Sequence, residues 1–250
     1  MIAALAAVAF LAACSGRGVQ DLTSTLPTAG VKFYNFGLNA PSVNFYANDT
    51  KVTGVNSTSG TESTSGTAYG GVAAGGFYNA IAPGAYTFTA RITATTDNGA
   101  AIATMPVTIA AGKGYSFYLS GPYNPATKAS DAFIVEDNVP VIDYTQTNIR
   151  FVNAIYNSNP LTLYAKNPTT GDSVVIGGPL AYKSAGAFKP MPGAVYDLIV
   201  RNTGSNTAVI TRTGVSFLAS RSYTVSARGD ITVVSTTAAN RPILDNTPNY

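Results

Sequence analysis

The feature that most constrains this chain is an internal repeat. Val31-Lys32-Phe33-Tyr34-Asn35 matches Ile149-Arg150-Phe151-Val152-Asn153, and without a gap Val43-Asn44-Phe45-Tyr46-Ala47 matches Leu161-Thr162-Leu163-Tyr164-Ala165. Further on, Pro83–Arg91 matches Pro192–Arg201 with one residue of slack, and Val107–Tyr115 matches Val215–Tyr223. The last block aligns Asn138–Asp143 with Asn240–Asp245. Blocks recurring in one order mark a duplicated unit, so the chain reads as two tandem domains, 31–146 and 149–250. The first copy is longer in two places. Residues 57–66 are Ser/Thr/Gly-rich and read as a loop, and Pro122–Lys128 is a turn-rich extension.

Within each copy the hydrophobic period is two. Tyr86, Phe88, Ala90 and Ile92 share one face while Thr87, Thr89, Arg91 and Thr93 share the other. Tyr115, Phe117 and Leu119 form another such face, and Val31 and Phe33 point inward while Lys32 points out. Short alternating strands between turn signals, with no amphipathic helix, predict an all-β chain. The expected form is two immunoglobulin-like antiparallel β-sandwiches of about seven strands each. The Cys…Trp…Cys hallmark is missing, so the likeness to immunoglobulin domains is architectural.

The repeated blocks also resemble a known family, domain of unknown function 4397. Its domain opens with a strand ending in Asn, followed by a Pro-containing turn and a Val-x-Val-Tyr-like strand. A Pro-x-Gly-x-Tyr strand, an Ala-Gly-x-x-Tyr-Thr strand and a closing strand near Asp-Asn come after. Here these are Val31–Asn35, Pro41–Tyr46, Pro83–Arg91, Ala111–Gly121 and Ala132–Asn138, with partners in the second copy. The resemblance covers nearly all of 31–250 and implies two copies of one fold in a secreted or surface setting, with no established activity. Where family members often carry Asp in the turn and the strand after it, this chain has Asn39, Asn44, Asn157 and Asn159.

The N-terminus supplies an address. Residues 1–13 are uncharged and apolar, of signal-peptide length and too short to span a bilayer. Leu11-Ala12-Ala13-Cys14 resembles a bacterial lipobox, and Cys14 is the chain's only cysteine, placed where lipidation needs it. The expected product is a lipoprotein: signal peptide 1–13, then lipidated Cys14 and a polar tether over 14–30. Several acyl chains on Cys14 would anchor it stably to membrane. Ser15 after the cysteine favours the outer membrane of a bacterial cell envelope. No Lys or Arg precedes the apolar run, so the true start is open.

Chemistry is sparse. With no histidine and one cysteine, His-based acid/base catalysis, His/Cys metal sites and internal disulfides are excluded. No nucleophile elbow accompanies the serines, and the acids are scattered, Asp143 and Asp245 recurring only near domain ends. Asp131, Glu136 and Asp137 form the one acidic cluster, without calcium-loop spacing, and read as the charged, solvated edge of a sheet. Gly112-Lys113-Gly114 reads as a hairpin turn. No catalytic residue, metal ligand or cofactor is assigned.

Charge is divided unevenly. The second copy has nine basic and four acidic residues and the first five and seven, the excess lying mainly in Arg212, Arg228 and Arg241. Envelope glycans or an acidic neighbouring protein are the partners this balance suggests. Nucleic acid is not, because no basic run interleaves with stacking aromatics. Fifteen tyrosines and no tryptophan leave Tyr34, Tyr69, Tyr78, Tyr118 and Tyr123, which the repeat does not match, as the candidate ligand surface. The expectation is a non-catalytic, lipid-anchored scaffold or interaction protein. A surface glycan-binding module is the alternative, and a carboxylate-dependent glycan hydrolase a remote one.

Overall fold

The computed structural model describes residues 28–53 and 65–249. The signal segment, Cys14, most of the tether and most of the 57–66 insertion lie outside the described residues.

The first unit comprises β1 (Ala29–Asn35), β2 (Val43–Ala47), β3 (Thr50–Lys51), β4 (Gly71–Val72), β5 (Asn79–Ile81), β6 (Gly84–Ile92), β7 (Ala101–Ile109), β8 (Gly114–Asn124) and β9 (Ala129–Glu136). The second comprises β10 (Gln146–Asn153), β11 (Leu161–Lys166), β12 (Ser173–Leu180), β13 (Ser184–Ala185), β14 (Lys189–Pro192), β15 (Val195–Asn202), β16 (Ala208–Ser216), β17 (Ser222–Arg228) and β18 (Ile243–Pro248). No α-helix occurs among the described residues.

Pairing repeats strand for strand. One sheet of the first unit runs β4-β1-β8-β9 with β5 also on β1, and the other runs β3-β2-β6-β7. The second unit has β13-β10-β17-β18 with β14 on β10, and β12-β11-β15-β16. The all-β, two-sandwich architecture expected from the alternation is therefore what forms. The sheets are antiparallel except at their centres, where β1 pairs in parallel with β8 and β10 with β17.

Each unit buries its own core between its two sheets. In the first, Phe33, Phe45, Phe88 and Phe117 meet with ring centroids 5.1 to 6.0 Å apart. In the second, Phe151, Leu163, Leu198 and Val225 stand at the equivalent positions and are fully buried. Burial of each such side chain contributes roughly 1.5–3 kcal/mol, which two separate cores accumulate without disulfides.

A third cluster belongs to neither sandwich. Tyr34, Phe36, Tyr118 and Phe133 of the first unit pack on Val152 and Ala154 of the second. The β1/β8 sheet and the β10/β17 sheet thus press their outer faces together, and the molecule stacks four sheets deep. That burial on both faces suits the parallel pairs, since parallel strands are found where both sides are covered. Lys32 does point out of its sandwich, but into the neighbouring one, and is 1% exposed.

Three local expectations need correction. Tyr115 pairs with Glu136 and Tyr223 with Pro248, so β9 is equivalent to β18 and Asp137 to Asn249. The block aligning Asn138–Asp143 with Asn240–Asp245 is out of register: Asp143 lies in the connection between units, Asp245 inside a strand. Ala29 and Gly30, expected in the tether, already pair within the first sheet. Finally, Gly112-Lys113-Gly114 joins strands of two different sheets, so it forms the crossing from one layer to the other.

Candidate functional site

The contact face between the sandwiches is the most chemically specified part of the molecule, and it is built by local pseudo-symmetry. Lys32 and Arg150 are repeat equivalents on β1 and β10, and each reaches across. Lys32 donates to the carbonyl of Pro248 and, at 3.2 Å, to Oδ1 of Asn249. Arg150 donates to the carbonyl of Glu136 at 3.2 Å and to the carboxylate of Asp137. Since Glu136 and Asp137 correspond to Pro248 and Asn249, the two halves exchange the same pair of contacts.

The supporting groups repeat as well. Ser116 donates to Asp137 at 2.8 Å, and Asn249 Nδ2 donates to the equivalent Thr224 at 2.9 Å. Lys32 Nζ lies 4.5 Å from the Tyr78 ring centre, while the Arg150 guanidinium lies 4.9 Å from that of Phe188. β5 and β14 pair with β1 and β10 in corresponding register, which makes Tyr78 and Phe188 counterparts. Tyr69 and Tyr182 correspond in the same way, two residues before the β4 and β13 strands. Tyr182 donates to Ser120 Oγ at 3.2 Å, and Lys183 pairs with Asp131 at 2.5 Å. Opposite, Arg228, equivalent to Ser120, pairs with Asp245 and lies over the rings of Tyr69 and Phe36 at 5.0 and 5.6 Å. Gly70 leaves room here: its φ is +80°, and a Cβ would sit 2.7 Å from the Arg228 guanidinium and displace it.

Between these polar ends runs an aromatic stack. Tyr34 and Tyr118 lie 4.5 Å apart at 13°, Tyr118 and Phe133 4.8 Å apart at 12°, and Tyr182 meets Phe133 edge-on at 6.2 Å.

Burial sets the electrostatics. It pushes the Lys32 ammonium down to about 8, against the pull of Asp137. It pushes the Tyr118 hydroxyl up to about 12 and that of Tyr78 higher still, with Asp137 adding to the second. Burial opposes charge on Arg150 too, but the Asp137 carboxylate holds the guanidinium ionised. A cleft of about 570 Å³ opens beside this row, walled by Gly30, Tyr78, Lys113, Asp137, Val139 and Asn249. At neutral pH its tyrosine keeps its proton and its carboxylate is neutralised by Arg150. The arrangement ties the two sheets together.

The sequence of residues 29–164 matches the family model for a domain of unknown function, DUF4397. The match begins at the first residue of β1 and spans more than half of the chain. The chain belongs to the DUF4397 family. No curated protein is significantly similar to it. The family match covers the first sandwich and runs into β11 of the second. The duplication across this DUF4397 chain therefore rests on strand pairing, not on a second match.

Placed on the DUF4397 structure, the five candidate tyrosines divide. Tyr34 and Tyr118 are at most 1% exposed and present no surface, because they fill the contact between sandwiches. Tyr69 and Tyr78 are half-buried at its two ends. Tyr123 is the outlier, half-buried beyond the β8 bulge against the first core. The acidic cluster disperses into ion pairs: Asp131 with Lys183, Glu136 with Lys113 and Asp137 with Arg150. Asp137 is buried, so it is not part of a solvated edge. Asn157, at one of the family's Asp positions, donates to Asp230 at 2.7 Å and accepts from the Ile231 amide, tying its turn to the segment after β17.

Sequence reading missed Lys32, Arg150, Asp137 and Asn249 as a set. A signal existed: Tyr34, Phe36 and Tyr118 alternate with the core residues Phe33 and Phe117, so both faces of two strands are apolar.

Proposed function

We propose that this DUF4397 protein is a non-catalytic, lipid-anchored scaffold of a bacterial cell envelope, its two sandwiches acting as one rigid body. The observation that carries the reading is the reciprocal exchange across the contact face, in which Lys32 and Arg150 each bind the closing strand of the other unit. Domains joined only by a linker move independently by default, whereas a buried, hydrogen-bonded aromatic interface suppresses that motion. A rigid body suits a protein that sets distance and orientation at a membrane. Support for the anchor comes from Leu11-Ala12-Ala13-Cys14. The segment from Ser15 to the start of β1, fully extended, would span about 50 Å.

The glycan-binding alternative draws nothing from Tyr34 and Tyr118, which lie inside. For the hydrolase alternative, Asp245 is engaged by Arg228, and Asp143 caps a turn through Thr145.

Cys14→Ala tests the anchor. The wild-type protein should stay with membranes through an alkaline carbonate wash, and the variant should move to the soluble fraction. Retention of the variant in membranes would overturn the lipid-anchored reading.

A further inference from the structure

We propose that a cleft in the second sandwich binds an oxyanion, the phosphate or carboxylate group of an extended anionic chain. The proposal is independent of the lipid anchor. It starts from Arg212, Arg228 and Arg241, the cations that give the second copy its excess charge. Strand register gives Arg212 and Arg228 uncharged counterparts, Met105 and Ser120, and Arg241 precedes β18 outside any paired strand. Arg212 and Arg241 line one place, and Arg228 pairs with the carboxylate of Asp245 on its wall.

That place is the open side of the sandwich, where edge strand β16 faces edge strand β18 across the gap between sheets. In the first unit, Met105 packs against the core at this point. In the second, a cleft of about 410 Å³ remains, walled by Ile210, Thr211 and Arg212 on one side and residues 241–245 on the other. Arg212 Nη1 donates to the carbonyl of Leu244 at 2.9 Å, and Arg241 Nη1 donates to that of Ala238 at 2.9 Å. Each guanidinium is thus oriented by one main-chain bond through a single nitrogen. The remaining N–H groups form the planar fork that matches a carboxylate or phosphate. The one carboxylate on the wall, Asp245, is paired by Arg228 and does not repel an incoming anion. The cleft therefore carries the positive charge of two arginines, lies along a strand edge and is open to solvent, which suits a group presented on a long chain.

The test is calorimetric titration of the whole protein at low ionic strength, with short-chain inorganic polyphosphate in one arm and oligogalacturonate in the other. Saturable binding is expected in at least one arm, and which arm binds distinguishes phosphate from carboxylate. Arg212→Gln and Arg241→Gln should each weaken it by about tenfold or more, the loss of a charge-assisted contact. Arg241→Glu should abolish it, and Arg221→Gln, an exposed cation elsewhere in the same unit, should leave it unchanged. Thermal melts of each variant separate loss of binding from loss of fold, and Arg241→Glu retains a folded protein because its side chain is half-exposed. Absence of saturable binding in both arms would overturn the proposal. So would an equal loss in Arg221→Gln, which would assign binding to general surface charge.

Discussion

The two faces that meet between the sandwiches come from equivalent strands and carry opposite chemistry. On the first unit the positions are large and aromatic: Tyr34, Phe36, Tyr118 and Phe133. On the second, the same positions hold Val152, Ala154, Ser226 and Asp245. Charge differs likewise, because Asp137 faces Arg150 while its equivalent Asn249 faces Lys32. A face made of large groups fits a face made of small ones, whereas two copies of either would clash or leave voids. Two copies of the second face would also set each Arg150 against an amide rather than a carboxylate. Duplication supplied the pseudo-symmetry; divergence made the halves specific for each other.

The largest expected effect comes from breaking the fully enclosed pair of Asp137 and Arg150. Asp137→Ala strands the Arg150 guanidinium, which is 2% exposed, without its carboxylate. Removing one partner of a buried pair costs about 3–5 kcal/mol, and denaturant unfolding should register a loss of that size. Asn249→Ala, the equivalent change, leaves Lys32 with a carbonyl and a ring and should cost clearly less. Equal losses would mean that the two halves of the exchange contribute alike and that the asymmetry is incidental.

Next in size is the aromatic stack. Tyr118→Ser installs the side chain of its counterpart Ser226 between Tyr34 and Phe133. The cavity should cost about 3–5 kcal/mol, the range for large-to-small changes of aromatic residues. A loss below about 1 kcal/mol would show that the sandwiches slide together and close the gap.

These comparisons also show what the sequence could disclose. Alternation in β6 and at Tyr115, Phe117 and Leu119 was legible because one face of each run packs into a local core. The contact between units was not, because it joins strands of different sandwiches, as Lys32 to Asn249 across 217 positions, and uses polar groups that single-strand periodicity assigns to solvent. Lys32 is the plain case: a lysine opposite a buried phenylalanine reads as exposed until a second sheet covers it. The closing strands misled for a related reason. Asn138–Asp143 and Asn240–Asp245 resemble each other in composition, but only hydrogen-bond register distinguishes a connection from a strand.

A third effect, moderate in size, should appear as pH dependence. Lys32 holds its proton more weakly in the folded protein, at about 8, than in the unfolded chain at 10.5. Between those values the unfolded state binds more protons, so stability should rise with pH across that window. The groups around it are Asp137, Arg150, Tyr78 and Asn249. The tyrosines act in the opposite sense: Tyr34, Tyr78 and Tyr118 all titrate above 10 when folded, so stability should fall again beyond that pH. Unfolding free energies at pH 7 and pH 9.5 should show the rise, and Lys32→Met should flatten it while raising stability at pH 7. A fall between those two values would reverse the assignment of Lys32.

The smallest effect concerns the other difference between the units, the longer connection after β3 in the first. In the second unit the equivalent edge strand, β12, runs on along β11, with Val175 opposite Tyr164 and Leu180 opposite Leu161. The first takes the Ser/Thr/Gly-rich detour of 57–66 and rejoins at Thr67, whose amide donates to the Val43 carbonyl at 2.7 Å. That bond pins the returning chain to β2 whatever the length of the excursion. Loop-closure cost grows only with the logarithm of length, so removing roughly nine residues changes it by a few tenths of a kcal/mol. In a protein of this size a change of 1 kcal/mol moves the midpoint by about 2–4 °C. Deleting Ser57–Ser65 should therefore leave the melting temperature within about 2 °C of wild type. A larger fall would mean that this insertion supports the first sandwich, and that the two units differ in their stabilising contacts as well as in the faces they present to each other.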